Sequence, residues 1–178
     1  LGPFWLGGKS NILSLIKNIS GNEALKQLFK KGKGVILAMP HLGAWEILAL
    51  YCSAHYPTTS MYRPPNMLAL NDLIRKGRER LGATLVPIDA SGIRSLYKAL
   101  NNGEMIIILP DQDPTKGNGV FAPFFGTPAY TMTLLTRLTH KTGADVFFAY
   151  AERLPKGQGY HLHFQAAPEI ANASDLQE

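Results

Sequence analysis

The chain is 178 residues long, with 46% apolar and 17% charged residues, which excludes a disordered polyelectrolyte and allows one domain with a sizeable core. Its formal net charge is +5 but uneven: residues 1–110 carry 13 Lys and Arg against 6 Asp and Glu, and residues 111–178 carry 5 against 7. The single cysteine, Cys52, excludes an internal disulfide, and its small, apolar neighbours suit a core thiol in a reducing compartment rather than a nucleophile.

The spacing of Ile12, Leu15, Ile16 and Ile19, then Leu25, Leu28 and Phe29, predicts two helices over residues 12–31. Ser20-Gly21-Asn22 is expected to part them, with Asn22 capping the second. GKG at 32–34 turns the chain into VILAMP, a short buried strand, and a helix follows over about 45–54. Residues 58–63 read as a strand stopped by Pro64-Pro65, since proline cannot donate to a ladder. A helix is predicted over 67–81, a strand in ATLVPI (83–88), and a helix over 91–101 with Ser91 as its cap and Gly103 beyond its end. EMIIILP (104–110) is a strand apolar on both faces. The Gly/Pro-rich segment from Asp111 to Ala129 reads as a long loop. A helix over 130–142 stops at Gly143, and strands follow at 144–153 and 159–166, the second with clean alternation.

Strands alternating with helices, several of them apolar on both faces, define the expected class: α/β, a mostly parallel central sheet with helices on both faces. Ligands of such sheets bind at the carboxyl ends of the strands. His41, Arg63 and Asp111 each follow a predicted strand.

A helical spacing of five residues puts His41 and Glu46 roughly 140° apart, so they meet only if His41 precedes the helix and Gly43 bends the backbone. A carboxylate there would hold the imidazole in one tautomer and stabilise its protonated form, which suits a general base; a structural histidine near a helix start is the alternative. Arg63, fixed by the following proline, can offer a fork to phosphate or carboxylate or simply lie over the sheet. Asp111 and Asp113 open what resembles a calcium loop, but the sixth position is Lys116 and the twelfth Ala122, so the match fails. Asp111 can bind substrate, orient a cation, or serve the turn. His161 and His163 face one side of a strand without an evident third ligand, and no metal is expected. HExxH, paired CxxC, GxSxG and P-loop patterns are absent from the sequence. Basic residues cluster at Lys26, Lys30, Lys31 and Lys33 and at Arg75, Lys76, Arg78 and Arg80, as solvated helix faces or as an attractor for a phosphate-bearing partner. The aromatic residues lack the stacking pattern of an RNA-binding sheet, and no nucleic-acid partner is expected.

PHLGAWE (40–46) resembles the H-x-x-x-x-(D/E) block of the glycerolipid and lipid A acyltransferases, with Trp45 before the Glu as in the lipid A late-acyltransferase branch. YRPPN (62–66), GIRSLYKALNNGEMIIILPDQDP (92–114) and FAPFFGTPAYT (121–131) continue the likeness in order, over most of residues 33–165. The resemblance implies a glycerolipid acyltransferase-like fold. It also implies transfer of a fatty acyl chain from acyl-acyl carrier protein, or acyl-CoA, to a hydroxyl of a phosphorylated glycolipid such as a lipid A precursor. His41 would be the general base and Glu46 its orienting carboxylate. Arg63, Asn66 and Asp111 would be substrate-binding residues. No cofactor beyond the acyl donor is implied. The implied partners are acyl carrier protein, the glycolipid acceptor and the cytoplasmic face of the inner membrane, to which the basic excess is suited. Phe121, Phe124 and Phe125 are candidates for the mouth of an acyl channel, with ordinary core packing as the equal alternative. A lysophospholipid, glycerol-phosphate or mannolipid acyltransferase keeps this chemistry with another acceptor; an anionic-lipid binding module would do without His41.

Family members are longer, with a hydrophobic N-terminal anchor. No run here reaches the roughly 18–20 apolar residues of a membrane span, and LGPFWLGGKS has neither an initiator Met nor the layout of a signal peptide. Residues 1–178 are therefore expected to form a single acyltransferase domain, a fragment without its anchor and without a C-terminal segment.

Overall fold

The computed structural model describes residues 12–114 and 116–168. Its frame is a seven-stranded sheet built on two runs, Val35–Ala38 (β2) and Met105–Ile108 (β5), in which every residue is buried. They pair in parallel, Val35 against Met105 through Ala38 against Ile108. Alternation divides their side chains between two cores. Val35, Leu37, Met105 and Ile107 join one cluster, while Ile36, Ala38, Ile106 and Ile108 join the other. Helices Asn22–Lys30 (α1) and Trp45–His55 (α2) supply Leu25, Leu48 and Cys52 to the first core. Helices Ala90–Asn101 (α4) and Leu134–Thr142 (α5) supply Leu96, Ala99 and Leu138 to the second. Helix Asn71–Glu79 (α3) follows the third strand.

With the remaining strands Ile16–Ser20 (β1), Thr58–Tyr62 (β3), Ala83–Pro87 (β4), Asp145–Arg153 (β8) and Tyr160–Ala166 (β9), the order across the sheet is β1-β9-β8-β2-β5-β3-β4. Every pairing is parallel except β8 with β9. The expected mostly parallel α/β sheet with helices on both faces is what forms.

Four local expectations change. Residues 16–20 are an edge strand, not a helix: β1 pairs in parallel with β9, and the Tyr160 N–H donates to the Leu15 carbonyl at 2.8 Å. The apolar spacing fitted a helix, but Ile16, Asn18, Ile19 and Ser20 are weak helix formers, and the free edge of β9 offers backbone partners. Asn22 opens α1 without capping it; its amide donates to the Tyr51 hydroxyl at 3.2 Å. The cap of α4 is Asp89, whose carboxylate accepts from the N–H groups of Ser91 and Gly92. The segment after Asp111 is not all loop, because Gly119–Phe124 (β6) and Thr127–Met132 (β7) form an antiparallel hairpin. Phe125 and Gly126, both at positive φ, make its two-residue turn. That hairpin also delays α5 to Leu134.

Candidate active site

The site lies where β2, β5 and β3 end. Ala38 and Ile108 are paired, so three residues further on the register brings His41 beside Asp111. The Met39 N–H to Ile108 carbonyl bond, 2.8 Å, carries the pairing past the strand ends. Proline follows on each strand, Pro40 and Pro110, and ends the ladder there. Asp111 then accepts twice from His41, from the main-chain N–H at 2.8 Å and from ring Nδ1 at 3.0 Å.

Those bonds decide the chemistry of both groups. Partial burial opposes ionisation of Asp111, but the main-chain and ring hydrogen bonds of His41 outweigh it and hold the carboxyl below the usual carboxylate range. An ionised Asp111 can only accept, so the ring places its proton on Nδ1 and donates it as a hydrogen bond, and this tautomer leaves the Nε2 lone pair available. Nε2 has no hydrogen-bond partner among the described residues, and the side chain is 37% exposed. Trp45 meets the imidazole edge-on, with centroids 5.4 Å apart, and limits its rotation. The result is an oriented, partly exposed imidazole at the carboxyl edge of the sheet, with one nitrogen unpaired among the described residues.

The turn carrying His41 is held by a close backbone approach. Gly43 has φ 68° and bridges to Ala151 of β8, and the Ala44 N–H donates to the Ala151 carbonyl at 2.9 Å. A Cβ on Gly43 would fall onto that carbonyl oxygen, so the glycine of HLGAW serves both the left-handed bend and the approach.

Glu46 is not the partner of His41. It lies in the first turn of α2, and its carboxylate turns toward α3 to meet Arg78 Nη2 at 3.8 Å. Both donors that His41 offers on this side are already taken by Asp111. Burial raises the Glu46 carboxyl above its ordinary value, and Arg78 offsets this only in part. The Arg78 guanidinium lies over the rings of Trp45 and Tyr62, at 5.1 and 5.4 Å. Its Nε is buried without a hydrogen-bond partner. A cavity of about 30 Å³ lined by Glu46, Ser53, Ser60 and Arg78, among others, lies in this region. The Glu46–Arg78–Trp45 group thus braces the start of α2, one residue of which also braces His41.

Arg63 and Asn66 follow β3, the strand beside β5, and so rise from the same sheet edge. Both are exposed, and among the described residues neither forms an ion pair or hydrogen bond with His41 or Asp111. Phe121, Phe124 and Phe125 stand on the hairpin after Asp111, 75%, 66% and 95% exposed, and no hairpin residue is buried. They are not core packing. Cys52 is buried in the first core, and burial pushes its thiol up, away from nucleophilic use. Among the described residues no helix is long and apolar enough to cross a membrane.

The Asp111 contact had a signal in the sequence. VILAMPH and IIILPD are both apolar runs ending in proline and one ionisable residue. Aligning the runs as neighbouring parallel strands sets the prolines side by side and the His beside the Asp.

Fold and edge together define an α/β protein with a histidine–carboxylate pair at the strand ends. The sequence places it further: residues 3–178 match the model of the bacterial lipid A biosynthesis acyltransferase family, and the chain belongs to that family. It is 34% identical over 165 residues to a lipid A biosynthesis acyltransferase of Haemophilus influenzae, covering 91% of this chain and 52% of the relative. It is 28% identical over 161 residues to the lipid A biosynthesis lauroyltransferase of Escherichia coli, covering 90% and 52%. A phosphatidylinositol mannoside acyltransferase of Mycobacterium tuberculosis is 24% identical over 149 residues, covering 82% and 47%. The chain spans about half the length of the curated relatives it matches.

Proposed function

We propose that this chain carries the catalytic base of an acyltransferase that moves a fatty acyl group from acyl-acyl carrier protein to a hydroxyl of a phosphorylated glycolipid of the lipid A precursor type. The observation that carries the reading is the His41–Asp111 pair at the carboxyl edge of the sheet, in a partly exposed imidazole whose Nε2 has no partner among the described residues. Family membership supports the acyl-transfer chemistry and the lipid A-like acceptor.

In this reading Nε2 takes the proton of the acceptor hydroxyl as its oxygen attacks the thioester carbonyl. Asp111 stabilises the imidazolium so formed. The tetrahedral intermediate then collapses, the thiolate leaves, and it takes the proton back from His41. Neither a metal nor an acyl-enzyme enters the scheme, and acyl-CoA could serve as donor by the same route. Arg63, exposed and free of ion pairs among the described residues, would bind an acceptor phosphate, with Asn66 beside it on the same connection. The exposed phenylalanines of the hairpin would meet acyl chains at the cytoplasmic face of the inner membrane.

The test is acyl transfer by the full-length protein in membranes, from labelled acyl-acyl carrier protein to three acceptors: a lipid A precursor, a phosphatidylinositol mannoside and a lysophospholipid. Label in the lipid A precursor supports the reading. Label only in the mannoside, the acceptor named for the mycobacterial relative, or only in the lysophospholipid keeps the base and moves the acceptor. No label in any acceptor, with anionic-lipid binding retained, would leave a binding module.

A further inference from the structure

We propose that Glu152 of β8 with His161 and His163 of β9 forms a site for a divalent transition-metal ion of the zinc class. The sequence offers the two histidines without a third ligand; the fold supplies it. In the antiparallel β8–β9 ladder Glu152 lies directly opposite His161, and His163 is the next residue on the same face. Glu152 Oε2 is 3.1 Å from His163 Nε2 and 3.9 Å from His161 Nδ1. One ligand atom from each of the three residues lies within 4.8 Å of the others. Bonds of about 2.0–2.1 Å to a tetrahedral ion require ligand atoms about 3.3 Å apart, so closure needs only side-chain adjustment.

Both imidazoles are already oriented. His161 Nε2 is 2.7 Å from the Ser20 hydroxyl on β1; donation from Nε2–H to that oxygen leaves Nδ1 as the acceptor facing Glu152. His163 is stacked on Tyr150 at 4.5 Å and 9°, with its Nε2 facing the same carboxylate. The imidazole centroids are 3.9 Å apart. Two imidazoles and one carboxylate suit zinc, cobalt or nickel rather than calcium or magnesium. The half-exposed Glu152 leaves room for water as a fourth ligand. An ion here would join β8 to β9, with Ser20 of β1 holding one ligand in place. It would also fix the end of β8, where Ala151, the neighbour of Glu152, receives the turn that carries His41.

The experiment is a titration of the full-length protein, purified without a polyhistidine tag, with Co²⁺ and with Zn²⁺. Visible d–d absorption and the unfolding midpoint are the readouts. One Co²⁺ per chain with a tetrahedral spectrum is expected, and saturating Zn²⁺ should raise the midpoint by about 5–10 °C. Glu152→Gln, and His161→Gln combined with His163→Gln, should lose both signals while keeping the metal-free midpoint; should the double variant not fold, His163→Gln alone reads the same. No absorption and no shift in the unaltered protein would overturn the proposal. So would signals that persist in the histidine variants, or that vanish in His41→Ala instead.

Discussion

Replacing Asp111 by asparagine keeps the shape of the pair and removes what the carboxylate does. Asp111 accepts from two donors of His41 at once, with one oxygen for each. An amide has one acceptor oxygen, so its NH₂ must face either the main-chain N–H or Nδ1. If it faces Nδ1, the imidazole proton shifts to Nε2, where the acceptor hydroxyl must deliver its own. A hydrogen bond to a charged group is worth about 1.5–3 kcal/mol. Stabilisation of an imidazolium by a carboxylate about 40% exposed adds about 1–2 kcal/mol at most. The two overlap, so a loss of about 2–3 kcal/mol in the transition state is expected, or about 30–150-fold in kcat. The same pair is exposed in the ground state, and its removal should cost about 0–1 kcal/mol of folding stability. The assay is single-turnover transfer from labelled acyl-acyl carrier protein by the full-length protein in membranes, with the unfolding midpoint measured in parallel. A rate within about threefold of the unaltered protein would refute the reasoning.

Gly43→Ala combines a left-handed residue with a Cβ on the Ala151 carbonyl. It should cost about 2 kcal/mol or more, read as a lower unfolding midpoint, and should weaken transfer by displacing His41. Glu46→Ala leaves the half-buried Arg78 without its carboxylate; thermal unfolding should show a loss of about 1–3 kcal/mol, with transfer falling as Trp45 and His41 lose their support. Arg63→Ala touches an exposed side chain and should leave the midpoint unchanged while raising KM for a phosphorylated acceptor by about tenfold or more. The Asp111 carboxyl is held below its ordinary 3.8. Its contribution to stability is therefore complete above about pH 4 and is lost as pH falls through the lower folded value. Acid unfolding of Asp111→Asn should lack that component.

The central strands were legible because β2 and β5 are apolar on both faces, a pattern that only a sheet covered on both sides explains. Their carboxyl ends located His41 and Asp111 for the same reason, and the end of the neighbouring β3 located Arg63. The partner of His41 was not legible from spacing along one segment, since Glu46 is near in sequence while Asp111 is near through strand register. Residues 16–20 carry apolar spacing that a helix satisfies equally well; a distant strand edge decided them. The hairpin was hidden because Pro, Gly and Phe at 121–128 read as loop residues, yet Phe125 and Gly126 accept the positive φ of a two-residue turn. Glu152 escaped notice for the same reason as Asp111: it is nine residues from His161 along the chain and directly across from it in the ladder.

The most direct measurement is the transfer rate of His41→Ala beside that of the unaltered full-length protein, with binding of acyl-acyl carrier protein and acceptor measured separately. A fall of about 10²–10⁴-fold in rate with binding retained is the result a general base at His41 predicts. Transfer at an unaltered rate would contradict it and remove His41 from the chemistry.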